Sequence, residues 1–77
     1  MREQILNTIR GTENIRTIIV DEDTNIITVS VNHINDIEGL IWELESLANR
    51  IEWGSITGTS WFEFNNFTVQ IIQLVED

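Results

Sequence analysis

Hydrophobic residues recur at helical spacing in one stretch of the chain, between positions 34 and 51. The apolar positions fall three and four residues apart and form a stripe about 120° wide, which is typical of a helix that lies on a core. They are Ile37, Leu40, Ile41, Leu44, Leu47 and Ala48. Asn35 stands where an N-cap is expected, with Glu38 three residues later. Arg50 stands where the last turn of a helix favours a cation. The pattern predicts a helix over residues 36–50.

Trp42 does not belong to this apolar stripe. On a helical wheel it lies about 140° from Ile37, on the flank that also carries Glu38 and Glu45. Two interpretations follow from this position. Trp42 is either a half-buried side chain at the edge of the core or an exposed aromatic side chain, ringed by carboxylates, that anchors a partner protein.

Shorter patterns lie on the N-terminal side of this helix. Residues 1–10 place three apolar side chains on one face, which predicts a short helix that ends at Gly11. Residues 15–20 and 26–33 are rich in β-branched side chains and flank an acidic stretch, which predicts a β-hairpin with an acidic tip. Pairing Val20 with Ile26 gives the hairpin one apolar and one mixed face. The first face then carries Ile15, Thr17, Ile19, Ile27, Val29 and Val31, and the second carries Arg16, Ile18, Val20, Ile26, Thr28 and Ser30.

Two turn signals, Thr57-Gly58 and Asn65-Asn66, divide the C-terminal part into three predicted strands. A two-residue turn at each signal sets the pairing, and the large apolar side chains then share one face. The pairs on this face are Trp53–Phe62, Ile51–Phe64, Phe64–Phe67 and Phe62–Val69, and the opposite face pairs Glu52 with Glu63 and Trp61 with both Gly54 and Gln70. Residues 68–75 alternate and are rich in β-branched side chains, which favours a strand over a helix capped by Thr68.

These elements predict an α+β fold in the order α-β-β-α-β-β-β. An antiparallel sheet of about five strands has the helix at 36–50 packed on one face. The length of 77 residues allows one domain, 1–77. Such a small domain buries a modest share of its surface, and without cysteine it has no disulfide to add stability. We therefore expect a homodimer that closes the mixed sheet face. Its apolar part would be Ile18, Val20, Ile26, Ile72 and Leu74.

The charge balance is unusual. Four arginines stand against thirteen Asp and Glu residues, there is no lysine, and the formal net charge is −9. Such a chain repels nucleic acid and anionic membranes, and it attracts basic surfaces. No apolar stretch has the length of a membrane span, and the N-terminal residues lack the apolar segment of a signal peptide. We therefore expect a cytoplasmic protein.

The sequence contains no motif of a catalytic or cofactor site. His33, the sole histidine, follows a predicted strand and precedes the predicted helix. Asp21, Asp23 and Asn25 match the first three ligand positions of a calcium loop. The glycine and the bidentate glutamate that such a loop requires at its sixth and twelfth positions are replaced by Ile26 and Asn32. We therefore expect neither enzymatic activity nor a bound cofactor or metal ion.

These observations favour a non-catalytic acidic binding protein that occupies a basic surface of a partner, as nucleic-acid mimics, inhibitors and nuclease-immunity proteins do. A short, lysine-free chain rich in Ile and Asn is compatible with an accessory protein of a phage or mobile element. The alternative is a homo-oligomeric module or a subunit of a larger assembly. The predicted partner-binding residues are Asp21, Glu22, Asp23, Glu38, Trp42, Glu45, Glu52, Trp61 and Glu63.

Overall fold

The computed structural model describes residues 1–54 and 58–74. Within these ranges the elements are α1 (Arg2–Arg10), β1 (Ile15–Asp21), β2 (Ile26–Val31), a 3-10 turn (Ile34–Ile37), α2 (Glu38–Leu47), β3 (Arg50–Glu52), β4 (Thr59–Glu63) and β5 (Thr68–Gln73). The predicted α+β class, the order of the elements and the number of strands are confirmed. The final segment is a strand, as its alternation indicates, and Val75 lies outside the described residues.

The five strands form one sheet in the order β1-β2-β5-β4-β3. Three neighbouring pairs are antiparallel, and the central pair, β2 with β5, is parallel. The sheet is therefore mostly antiparallel, and the expectation of a purely antiparallel sheet needs this one correction. A parallel pair requires a crossover connection. Here the 3-10 turn, α2, β3 and β4 together supply it.

Both helices contribute their apolar stripes to a single cluster of buried side chains on one face of the sheet. Burial alternates along β2 and along the first part of β5, so each strand presents every second side chain to the helices. The cluster consists of Ile5, Leu6, Ile9, Ile27, Val29, Val31, Ile37, Leu40, Ile41, Leu44, Phe62, Phe64, Phe67, Val69 and Ile71. The described residues thus form two layers, and no described helix covers the far face of the sheet, which we call the open face.

The central helix is shorter than the predicted span of 36–50. Asn35 lies within the 3-10 turn, and Ile37 occupies the N-cap position of α2, so the predicted role of Asn35 as an N-cap is wrong. At the other end Ala48 is already extended, with ψ 144°. The backbone N–H of Asn49 donates to the carbonyl of Glu63 at 2.8 Å. Arg50 is consequently the first residue of β3 and not part of the helix, because pairing with β4 replaces the last helical turn.

The register of the first hairpin differs by one residue from the predicted register. Val20 lies opposite Ile27 and not opposite Ile26. Because side chains alternate between the two faces of a strand, a shift of one residue reverses the faces of residues 17–21. Ile18 and Val20 therefore face the helices, and Ile19 lies on the open face. Ile15 keeps its predicted partner Val31, because an irregularity separates it from Thr17.

The turn explains this shift. The Asp21 carboxylate accepts hydrogen bonds from the backbone N–H groups of Asp23 and Thr24, at 3.0 and 3.3 Å. This arrangement is an Asx turn, and it makes Asp21 the last residue of β1, with residues 22–25 as the turn. Asn25 closes the turn with φ 58°, a left-handed conformation that Asn tolerates better than most residues.

Of the two C-terminal hairpins, the second has the predicted register. Phe62 lies opposite Val69 and Trp61 opposite Gln70. The Phe64 N–H donates to the carbonyl of Phe67 at 2.9 Å, which confirms the two-residue turn between them. The Phe64 and Phe67 rings stack with their centroids 4.6 Å apart, on the face of the sheet that the helices cover.

The hairpin between β3 and β4 is displaced by two residues from the prediction. Ile51 lies opposite Phe62, and Glu52 opposite Trp61, so Gly54 is not the cross-strand partner of Trp61. The Gly58 N–H donates to the Gly54 carbonyl at 2.7 Å, and the connection is longer than a two-residue turn at Thr57-Gly58. Thr57 lies outside the described residues. Since the displacement is even, the apolar side chains keep the predicted face.

We predict that Phe62→Ala lowers the free energy of unfolding by about 3–5 kcal/mol, because it empties a fully buried position. Trp42→Ala removes an even larger side chain, but from an exposed position, and should change stability by less than about 0.5 kcal/mol. Urea denaturation followed by circular dichroism measures both variants. Equal losses for the two variants would contradict the assignment of Phe62 to the core and of Trp42 to the surface.

Candidate protein-interaction surfaces

α2 carries its tryptophan on the side that points away from the sheet. The buried stripe of the helix faces the core, and Trp42 lies on the opposite side with 66% of its surface exposed. Glu38 and Glu45 are also exposed and lie about one helical turn before and after Trp42. We refer to Glu38, Trp42 and Glu45 as the Trp42 face. The interpretation of Trp42 as a half-buried side chain is therefore wrong, and its role as a partner-binding anchor stays a prediction.

An acidic groove lies between α1 and α2, along the other flank of α2. Its volume is about 660 Å³, and its lining includes the acidic residues Glu13, Asp36 and Glu43 together with Gly39. Asp36 and Glu43 lie seven residues apart, about two helical turns, whereas Glu13 belongs to the loop after α1 and joins them only through the packing of α1 against α2. None of the three was among the predicted partner-binding residues.

The carboxylates of the Trp42 face and of the acidic groove have no cationic partner among the described residues. The two ion pairs found there are Arg2–Glu22, at 3.9 Å, and Arg50–Glu52, at 3.3 Å. Both involve acids from other parts of the molecule. The helix layer therefore displays uncompensated negative charge around an exposed aromatic ring.

The acidic hairpin tip forms a separate surface. Glu22 is 3.9 Å from Arg2 at the start of α1, whereas the acidic groove is lined by residues at the end of that helix. The nine residues of α1 correspond to about 13 Å. The Asp21 carboxylate is hydrogen-bonded to the backbone of the turn, and Asp23 is exposed beside it. The tip is therefore not continuous with the acidic groove.

The open face of the sheet holds the remaining predicted site residues, Glu52, Trp61 and Glu63. Trp61 is only partly exposed, and its indole N–H donates to the side-chain oxygen of Gln70 at 3.0 Å. The predicted pairing of Glu52 with Glu63 is wrong, because Arg50 lies opposite Glu63 and contacts the Glu52 carboxylate at 3.3 Å. An arginine thus offsets the acidic charge on this face.

The predicted dimer face is also rearranged. Ile26 and Ile72 lie on the open face as expected, whereas Ile18 and Val20 are turned toward the helices by the register of β1. Ile19 takes their place, with 58% of its surface exposed. The sequence does indicate that an apolar side chain lies on the open face of β1. Ile18, Ile19 and Val20 are consecutive, and three consecutive residues of a strand place at least one side chain on each face.

Trp53 is another exposed aromatic residue that the sequence analysis assigned to the apolar face without predicting its exposure. Trp53 does lie on that face, and its ring meets the Phe62 ring edge-to-face with the ring centroids 5.5 Å apart. About half of its surface is nevertheless exposed. It lines a small cavity of about 230 Å³ together with Ile34 and Gln73. β3 ends just before Trp53, and the predicted partner Phe62 pairs with Ile51 instead. Trp53 therefore lies beyond the paired part of the strand, which explains its exposure.

The described residues contain no group of three or more His, Asp or Glu side chains arranged to hold a metal ion. His33 is exposed just before the 3-10 turn, where its backbone carbonyl accepts a hydrogen bond from Asp36 at 3.0 Å. In the same part of the chain, no helix is both long enough and apolar enough to cross a membrane.

Comparisons of this chain with protein-family models, with curated proteins and with solved structures found no match.

We predict that Gly39→Ala raises the free energy of unfolding by about 0.5–1 kcal/mol, the usual difference in helix propensity. An added Cβ at this position would meet no atom within 4 Å, so the methyl group has room in the acidic groove. Thermal unfolding against the wild type measures the change. A lower free energy of unfolding in the variant would contradict the presence of free space beside Gly39.

Proposed function

We propose that this protein is a non-catalytic acidic binding protein that covers a basic surface of a partner with the Trp42 face and the adjoining acidic groove. The observation that carries this proposal is the exposure of Trp42 between Glu38 and Glu45. Trp42 is not part of the buried cluster in that position. It can still bury a large apolar area against a partner.

The two kinds of side chain have different roles in this proposal. Tryptophan is enriched among the residues that dominate binding energy, where it fills a desolvated pocket near the centre of an interface. The surrounding carboxylates raise the association rate with a basic surface and select against acidic partners. Because they have no cationic partner in the described structure, binding does not require an existing ion pair to break.

The partner class that fits best is a nucleic-acid-binding protein. Its basic groove is built to hold regularly spaced phosphates, and carboxylates displayed on a helix can occupy the same positions. The chain would then act as an inhibitor or nucleic-acid mimic, the role expected of an immunity-type or phage accessory protein. Such partners work where nucleic acid is present, so the proposal places this protein in the cytoplasm.

The proposed role includes no chemical step. His33 is exposed, and the cavities described above are lined by neither a histidine nor a cysteine. The carboxylates of the acidic groove act in this proposal through their charge.

The test is to capture binders from the host on the immobilised chain, purify the main one and measure its binding kinetics with variants. Trp42→Ala should raise the dissociation rate constant by about 30-fold or more, since it removes the central anchor. Glu38→Gln with Glu45→Gln should lower the association rate constant about three- to tenfold at 20 mM salt, with little effect at 500 mM. Double-stranded DNA should compete with the protein for the captured binder.

The matched control is Glu52→Gln with Glu63→Gln, which makes the same change in charge on the opposite side of the molecule. It should change the association rate constant less than about twofold. A larger effect from this control pair than from Glu38 and Glu45 would contradict the assignment to the Trp42 face. Capture that does not depend on salt would rule out a role for charge.

A further inference from the structure

β1 forms one edge of the sheet, and its outer side is unpaired among the described strands. It is seven residues long and pairs only with β2, whereas β3 at the other edge has three residues. An unpaired strand edge presents a row of backbone N–H and C=O groups that can pair with another chain. β1 is therefore the larger of the two open edges.

The middle of β1 is apolar on both faces. Ile19 is exposed on the open face, and Ile18 and Val20 are only partly buried on the helix side. Proteins usually protect a strand edge with lysine, proline, an inward-pointing charge or a bulge. The segment 17–20 has no charge and no proline, and the one irregularity of β1 lies before it, between Ile15 and Thr17.

The two ends of β1 carry opposite charges. Arg16 lies near its start, and Asp21, which is bonded within the turn, is its last residue. Glu22 follows directly and lies 3.9 Å from Arg2 in an exposed ion pair. The Arg16 guanidinium donates to the amide oxygen of Asn32 at 3.0 Å, and it forms no ion pair with a described carboxylate. A strand with opposite charges at its two ends complements a second copy of itself only in the antiparallel direction.

We propose that β1 pairs antiparallel with β1 of a second copy of this chain, around a two-fold axis at Ile19. In this register Ile18 lies opposite the partner copy's Val20. Arg16 of each copy approaches the Asp21–Glu22 end of the other. Paired residues then share a face, so the two sheets join into one with all helices on the same side. The partly buried Ile18 of each copy then covers Val20 of the other copy across the junction.

A second copy fits this edge better than the basic partner proposed for the Trp42 face. Residues 17–20 offer no charge to a basic surface, whereas a copy matches their apolar character and the charges at both ends. The formal net charge of −9 on each copy opposes association at low salt, and screening reduces this repulsion. Dimerisation should therefore strengthen with added salt, whereas binding of a basic partner should weaken. The two proposals can thus fail independently.

Sedimentation equilibrium of the full chain tests the pairing. The wild type should dimerise more tightly at 200 mM than at 20 mM salt. Arg16→Glu or Glu22→Arg alone should weaken dimerisation about tenfold or more, because each variant sets like charges together at both ends of the junction. A mixture of the two variants should form a heterodimer with an affinity within about threefold of the wild type, because both ends then carry opposite charges.

Both substituted side chains are exposed, and circular dichroism confirms that each variant is folded. A wild type that stays monomeric at 200 µM would overturn the proposal. A wild-type dimer whose affinity is unchanged in both single variants would overturn it as well, because its interface would then lie elsewhere.

A cysteine cross-link tests the register directly, since the chain has no cysteine of its own. Ile19→Cys places two thiols beside the two-fold axis, within the range that a disulfide can span. Mild oxidation should convert this variant to a covalent dimer at least about tenfold faster than the control Ser46→Cys, an exposed position on α2. Equal rates for the two variants would overturn the pairing at Ile19.

Discussion

The parallel pairing of β2 with β5 is the constraint on which the rest of the structure depends. A hairpin turn cannot join two parallel neighbours, so the chain has to cross one face of the sheet between them. α2 lies in that crossover and buries its apolar stripe against the strands. Its opposite side, with Trp42, is consequently left facing outward. The same pairing fixes β1 and β3 as the two edges.

A small two-layer domain has little room to hide side chains that do not belong in its core. The buried side chains form one cluster, and the ionisable groups lie around it. Because acids outnumber arginines thirteen to four, most carboxylates remain without a counter-charge. On the open face Arg50 offsets Glu52, whereas the described residues form no such pair around Trp42 in the helix layer. This difference between the two sides is the basis of our proposal that a basic partner binds the helix side.

Much of the fold could be predicted from the sequence where the determining interactions are local. The helical stripe and the turn at Asn65-Asn66 involve neighbouring residues, and both are found as expected. The register of the first hairpin was predicted wrongly because Asp21 was assigned to the turn, whereas it is the last residue of β1. Its side chain bonds to the turn backbone, and this shifts the register by one residue. The parallel central pair joins segments about 40 residues apart in sequence, and no local pattern indicates it.

The candidate surfaces could be predicted only in part, for a related reason. Helical geometry placed Trp42 beside Glu38 and Glu45, but it could not determine whether a neighbouring element covers the ring. The acidic groove needs α1 and α2 side by side, and the exposure of Ile19 follows from the hairpin register. Each of these features depends on packing between distant segments.

The most direct test of the binding surface is a nitrogen–proton correlation spectrum of the labelled chain, titrated with a captured basic partner. The indole N–H groups of Trp42, Trp53 and Trp61 each give a separate signal, and Trp61 is already bonded to Gln70. If the Trp42 face is the docking surface, the Trp42 indole and the α2 amides shift or broaden and the Trp61 signal stays unchanged. Shifts at Trp61 and along β3 and β4, with an unchanged Trp42 signal, would contradict it.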